Sequence, residues 1–216
     1  MSTEGLFKWI QDGENEKAQS FLLENPKCIG ESNGLGVSPL LMAAYCRNQE
    51  MVEFIASRLK KMSLYEAASI GALEIVENQL ISTPELLDTF APDGFTALGL
   101  ASFFGQTAVV KYLLGLGANP SLAANNAFQV APLHSACASS HHEIAALLIA
   151  AGAGVNAPQQ QGVTPLHSAA HNGNVALVEL LIKNGADISA QTTEGKTPAD
   201  MAQEKGFPDL AHRLRP

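Results

Sequence analysis

Internal repetition constrains this chain more than any other property of its sequence. Thr164-Pro165-Leu166-His167-Ser168-Ala169-Ala170 is echoed by Ala131-Pro132-Leu133-His134-Ser135-Ala136-Cys137 and by Thr96-Ala97-Leu98-Gly99-Leu100-Ala101-Ser102. Weaker copies begin at Ser38-Pro39, Ser63-Leu64 and Thr197-Pro198, and a degenerate one at Gly5-Leu6. With the proline slot as anchor, the copies sit at 5, 39, 63, 97, 132, 165 and 198, at intervals of 34, 24, 34, 35, 33 and 33 residues. One residue after the anchor is Leu in six copies, four after is Ala in six, and eight after is Gly in five. Agreement at three slots assigns one supersecondary unit to each interval.

Each unit reads as two helices. Thr or Ser before Pro starts a helix, because the hydroxyl caps free amides and proline fits the first turn. Leu and the small Ala residues then share one face, which suits close packing against a neighbour. Gly eight residues on ends that helix. A second helix follows, carrying Val109, Val110, Leu113 and Leu114, or Leu177, Val178, Leu181 and Ile182, and stops at Gly117, Gly152 or Gly185. No unit of this size buries its apolar face alone, so the copies must stack into a solenoid.

Charge excludes several partners. The net charge is −8, from 13 Lys and Arg against 21 Asp and Glu, the wrong sign for binding nucleic acid or an anionic membrane. Residues 112–179 contain only Glu143 and Glu179 as charged residues. Pro120, Asn125, Asn126, Gln129 and Pro132 break that stretch, and no apolar run approaches the roughly 20 residues of a membrane span. The acidic N-terminal region resembles no signal peptide, so a cytoplasmic location is expected. Cys28, Cys46 and Cys137 are odd in number and widely spaced, which suits reduced thiols rather than disulfides or a zinc site.

The motifs at Thr164 to Ala170, at Gly173-Asn174 and at Leu181-Ile182-Lys183-Asn184-Gly185-Ala186-Asp187-Ile188 resemble those of the ankyrin repeat family, strongly over 93–216 and more loosely before. The resemblance implies an all-α solenoid of stacked helix pairs with β-hairpin-like fingers, the first helices and fingers lining a concave face. It is expected to be one domain, 1–216, with units of about 3–36, 37–60, 61–94, 95–129, 130–162, 163–195 and 196–216. The 24-residue step leaves only Leu59-Lys60-Lys61-Met62 as a link, so one finger is expected to be missing and the groove interrupted there. Polar end units, with Trp9 filling space at the first, read as caps of a complete stack.

Catalytic chemistry finds no support in the motifs. His134 and His167 occupy the T-P-L-H slot and His141 the G-H slot, where the resemblance implies structural hydrogen bonds. Gly152-Ala153-Gly154-Val155-Asn156-Ala157 imitates a dinucleotide loop but follows a helix instead of a strand. His134, Ser135 and Cys137 lack an acid that would orient a histidine. No catalytic, cofactor or metal residue is assigned, and the chain is expected not to be an enzyme.

A partner protein is expected on the exposed slots six and seven residues past each anchor, and on the finger tips. Large apolar residues there point to Tyr45, Phe95, Phe103, Phe104, Phe128 and Val130, with His171 and Asn172 in a later unit. Phe103 and Phe104 are alternatively core, tucked under a finger. The expected state is a monomeric interaction module or scaffold. Two rivals are an accessory subunit docked on an enzyme or on its own copy, and a small-molecule or metal site near His142 and His171.

Overall fold

A computed structural model describes residues 3–215. Fourteen α-helices are described: α1 Thr3–Asp12, α2 Asn15–Glu24, α3 Pro39–Tyr45, α4 Gln49–Ala56, α5 Leu64–Ile70, α6 Leu73–Ser82, α7 Ala97–Phe103, α8 Thr107–Gly115, α9 Pro132–Ala138, α10 His142–Ala150, α11 Pro165–His171, α12 Val175–Lys183, α13 Pro198–Glu204 and α14 Pro208–Arg213. The fold is all-α. Each odd-numbered helix pairs with the next, and the odd helices stack in sequence from α1 to α13.

The starts of the first helices follow the expected chemistry. Ser38 and Thr96 accept the amides of Leu41 and Gly99, and Thr197 forms a reciprocal box with Asp200. Ser63 caps α5 and forms a box with Glu66, so it does the work of the threonine slot, not of the proline slot to which the sequence alignment assigned it. Leu40, Leu98, Leu133 and Leu166 are buried together with Ala43, Ala101, Ala136 and Ala169. In the second helices Val109, Val110 and Leu113, and Leu177, Val178 and Leu181, join the same core. Leu114 is half-buried and packs against its edge, whereas Ile182 turns away toward solvent.

Fingers are tight turns closed by a pair of backbone hydrogen bonds, such as Asn33 N–H to Val37 O with Gly36 N–H to Asn33 O, and Ala91 N–H to Phe95 O with Gly94 N–H to Ala91 O, each at 2.8–2.9 Å. Strand pairing among the described residues reduces to one isolated bridge between Phe90 and Thr96. Successive fingers are joined by amide-to-carbonyl bonds from Asn125 to Gly94, Gln160 to Phe128 and Thr193 to Gln161. The finger at 124–130 closes across six residues instead of four, which accounts for the 35-residue interval and pushes Phe128 outward.

No finger turn forms between α4 and α5. There α3 packs on α5 less extensively than later neighbours pack, and α4 has only sparse contact with α6. The row of fingers closes over the deletion. A Cβ at Gly36 would lie 2.6 Å from the Pro92 carbonyl carbon, so the finger before the deletion rests directly on the one after it. The expected interruption therefore lies among the helices and not along the finger tips.

Candidate functional site

Three of the expected partner-binding residues meet at this junction. Tyr45 ends α3, Phe103 ends α7 and Phe104 caps it. The Tyr45 ring centroid lies 5.9 Å from that of Phe103 and 5.1 Å from that of Phe104, and the two Phe rings meet edge-on at 5.1 Å. All three are half-buried, so neither Phe is a core residue and neither stands free. Shared burial makes each ring the support of the other two. The Tyr45 hydroxyl donates to Asp93 Oδ2 at 3.3 Å, tying α3 to the finger at 91–95 across the deleted one. Burial raises the Tyr45 phenol above its ordinary pKa, and the Asp93 charge adds to this. Burial also raises the Asp93 carboxyl, against the opposing hydrogen bonds from Phe95 N–H and the Tyr45 hydroxyl.

The trio walls a cleft of about 810 Å3 that runs from the ends of α3, α5, α7 and α9 to Val52, Glu53 and Ala56 of α4. The α4 residues line it because α6 scarcely covers them. Arg47, Gln106 and His141 supply polar groups to its wall. Gln106 Nε2 donates to Ser69 O at 3.0 Å, His141 Nε2 lies 3.1 Å from Phe103 O, and Asn172 Nδ2 donates to Ala138 O at 2.8 Å. Gln106 and His141, just after the turn, and Asn172, just before it, thus each fasten the end of the preceding first helix.

The remaining expected residues do not join the trio. Phe95 is half-buried on the finger at 91–95. Phe128 is 62% exposed at the tip of the longest finger, with Val130 half-buried at its base. His171 and Asn172 are exposed at the end of α11, and Asn172 spends its amide on the carbonyl bond just described. Burial, then Lys205, lowers the His171 pKa, and Glu204 opposes them. The slots expected to be exposed are so at both ends of the stack, but Ser69 is 1% exposed and Tyr45, Phe103 and Phe104 are half covered. The cleft, Asp93 and Arg47 were missed from sequence, because Tyr45 and Asp93 lie 48 residues apart and no local pattern pairs them.

The histidines divide into two kinds. His167 Nδ1 accepts from Thr164 N–H, and its Nε2 lies 3.0 Å from Lys196 O, as the resemblance implied. His134 departs from that expectation. It is 1% exposed, and neither ring nitrogen has a hydrogen-bond partner, nor has Ser135 Oγ. At Nδ1 the cause is Ala131, which puts a methyl where Thr164 offers its hydroxyl to His167. Burial pushes the His134 pKa down to about 4, opposed only in part by the nearby backbone of Val163 and Ala157, which stands outside hydrogen-bond geometry.

His142 opens α10 and is exposed, and no group of three or more His, Cys, Asp or Glu side chains converges among the described residues. Burial raises all three thiols, Cys137 to about 12, so none is activated as a nucleophile. Among the described residues no helix is long and apolar enough to cross a membrane.

One helix-pair unit, copied along the chain and touching mainly its neighbours, defines a repeat solenoid. The family model for ankyrin repeats (3 copies) matches residues 64–159 and 133–215, so the chain belongs to the ankyrin repeat family. The match starts just after the deleted finger. No curated protein matches the chain. Ankyrin repeats are generally protein–protein interaction modules, and the family is generally non-enzymatic.

Proposed function

We propose that this chain holds a partner protein on its concave face, with the Tyr45–Phe103–Phe104 cluster at the centre and Leu35 and Phe128 at the finger tips gripping its edge. One observation carries the reading. Three aromatic rings occupy slots that the repeat itself leaves free, beside a cleft of about 810 Å3. Clustered aromatics at the centre of a contact, ringed by more exposed groups, are the usual anatomy of a binding hot spot. Leu35 at 78% and Phe128 at 62% exposure contribute little to folding. The module works as a rigid, non-catalytic platform in the cytoplasm.

Paired capture from native lysate tests the finger-tip part. Leu35→Ala with Phe128→Ala is expected to leave the melting temperature within about 2 °C, as surface substitutions do, while losing the proteins that the wild type retains. Ile81→Ala, on α6 and 73% exposed, is the control expected to keep them. The opposite pattern would contradict the reading.

A second reading draws on the second helices, where Ile81, Leu116 and Ile182 are exposed. They suit an accessory subunit or a self-associating chain. Light scattering that shows a dimer at micromolar concentration would favour it, and a monomer throughout would remove self-association.

A further inference from the structure

A second cleft, of about 740 Å3, opens between the end of α2, the 3-10 turn Pro26–Gly30 and the segment after α4. Leu22, Leu23, Ile29 and Leu59 give it an apolar lining, and Leu23 remains 62% exposed on the last turn of α2. Lys27, Arg58, Lys60 and Lys61 line the same cleft. They are four of only 13 basic residues in a chain of net charge −8. The sign of this cleft therefore opposes that of the molecule.

None of the four forms an ion pair among the described residues, whereas Lys17, Lys111, Lys196 and Arg213 each do. Arg58 is also fixed in place. Its Nη1 donates to Phe54 O at 3.0 Å and to Ser57 Oγ at 2.9 Å, and its guanidinium lies 3.8 Å over the Phe54 ring. The acids flanking the 3-10 turn, Glu24 and Glu31, reach none of the four, and counting both still leaves the rim positive. Lys60 and Lys61 belong to the link that replaces the finger, so the deletion itself supplies half of the basic rim.

Unpaired cations around an apolar floor select a ligand that carries both carboxylates and an apolar side chain. Inorganic phosphate would leave Leu23 uncovered, and a flat headgroup layer would meet the rim without filling the floor. We propose that this cleft docks an acidic peptide segment of a partner protein, with an apolar side chain covering Leu23 and carboxylates meeting Lys27, Arg58, Lys60 and Lys61. The site is separate from the concave face, so either proposal can fail without the other.

Phage-displayed random peptides of about twelve residues, long enough to cross the cleft when extended, selected on the full chain, test it. Enriched sequences are expected to carry acidic residues around a Leu, Ile, Phe or Trp. Lys60→Glu with Lys61→Glu should weaken their binding by at least roughly tenfold, and Lys60→Arg with Lys61→Arg should preserve it. Leu23→Ser should also weaken binding, with melting curves unchanged in every variant. Enrichment without acidic bias, or equal binding to the charge-reversed chain, would overturn the proposal. So would charge-reversal-sensitive binding of inorganic phosphate, of phosphatidylcholine vesicles with about 30% phosphatidylserine, or of a second copy of the chain, when the peptides bind no better.

Discussion

Left-handed backbone at the turn after each first helix is a requirement of the repeat, met by different residues. Gly13, Gly71, Gly105, Gly173 and Gly206 adopt positive φ there, and so do Arg47 at 54° and Ser140 at 61°. The glycines were legible in the sequence. The strain at Arg47 and Ser140 was not, because the demand comes from the turn and not from the side chain. Arg47→Gly and Ser140→Gly are each expected to stabilise the fold by roughly 0.5–1 kcal/mol, the left-handed penalty less the added freedom of glycine when unfolded. Urea denaturation would check this, and a lower midpoint would contradict it. His134 gives a second prediction at this scale. Its ring holds a pKa of about 4 when folded and about 6.5 when unfolded, so the unfolded chain binds more protons between those values. Stability is then fully present above pH ~6.5, falls as pH drops toward ~4, and loses on the order of 3 kcal/mol. NMR titration of the ring should place its midpoint well below that of an exposed histidine, and an ordinary midpoint would contradict the burial argument. Ala131→Thr restores the missing hydroxyl and cap, and should add about 1 kcal/mol.

The helix pairs were legible in the sequence because they rest on local rules of capping, turn glycine and apolar spacing; the fingers were expected to be β-hairpin-like and are instead tight turns with a single isolated bridge among the described residues. The 24-residue interval marked the deleted finger for the same reason. What the sequence did not reveal is how the neighbours respond. Closure of the finger row depends on Gly36 meeting Pro92, and the aromatic junction depends on Tyr45 meeting Phe103, Phe104 and Asp93. These are long-range contacts with no periodic trace. Comparing two alanine substitutions isolates the finger contact. Gly13 and Gly36 have similar positive φ, but nothing lies within 4 Å of a Cβ at Gly13, whereas Pro92 blocks one at Gly36. Gly13→Ala should cost about 1 kcal/mol of backbone strain, and Gly36→Ala a further ~1–3 kcal/mol of overpacking. Equal melting temperatures for the two variants would show that the fingers do not touch.

As a whole, the molecule is a linear stack whose thinnest contact lies between α3–α4 and α5–α6. Stability in such a stack is close to a sum of units and nearest-neighbour contacts. The aromatic trio bridges that junction, so Tyr45→Ala should speed hydrogen exchange in α1–α4 more than in α9–α12, and uniform loss of protection would contradict a weak junction. The under-charged span 112–179 is explained at this scale too. It covers the middle of the stack, where neighbours on both sides bury the apolar faces and fewer solvating groups are needed. A buried His134 with no charged residue near it in sequence is one consequence. The central claim is that a partner is held where the trio and finger tips face outward together. A photo-cross-linking amino acid placed in turn at Phe104, Phe128 and Ile81, in cells, tests it most directly. The account predicts the same partner protein cross-linked from positions 104 and 128 and none from 81. Cross-links from 81 with none from 104 or 128 would contradict it.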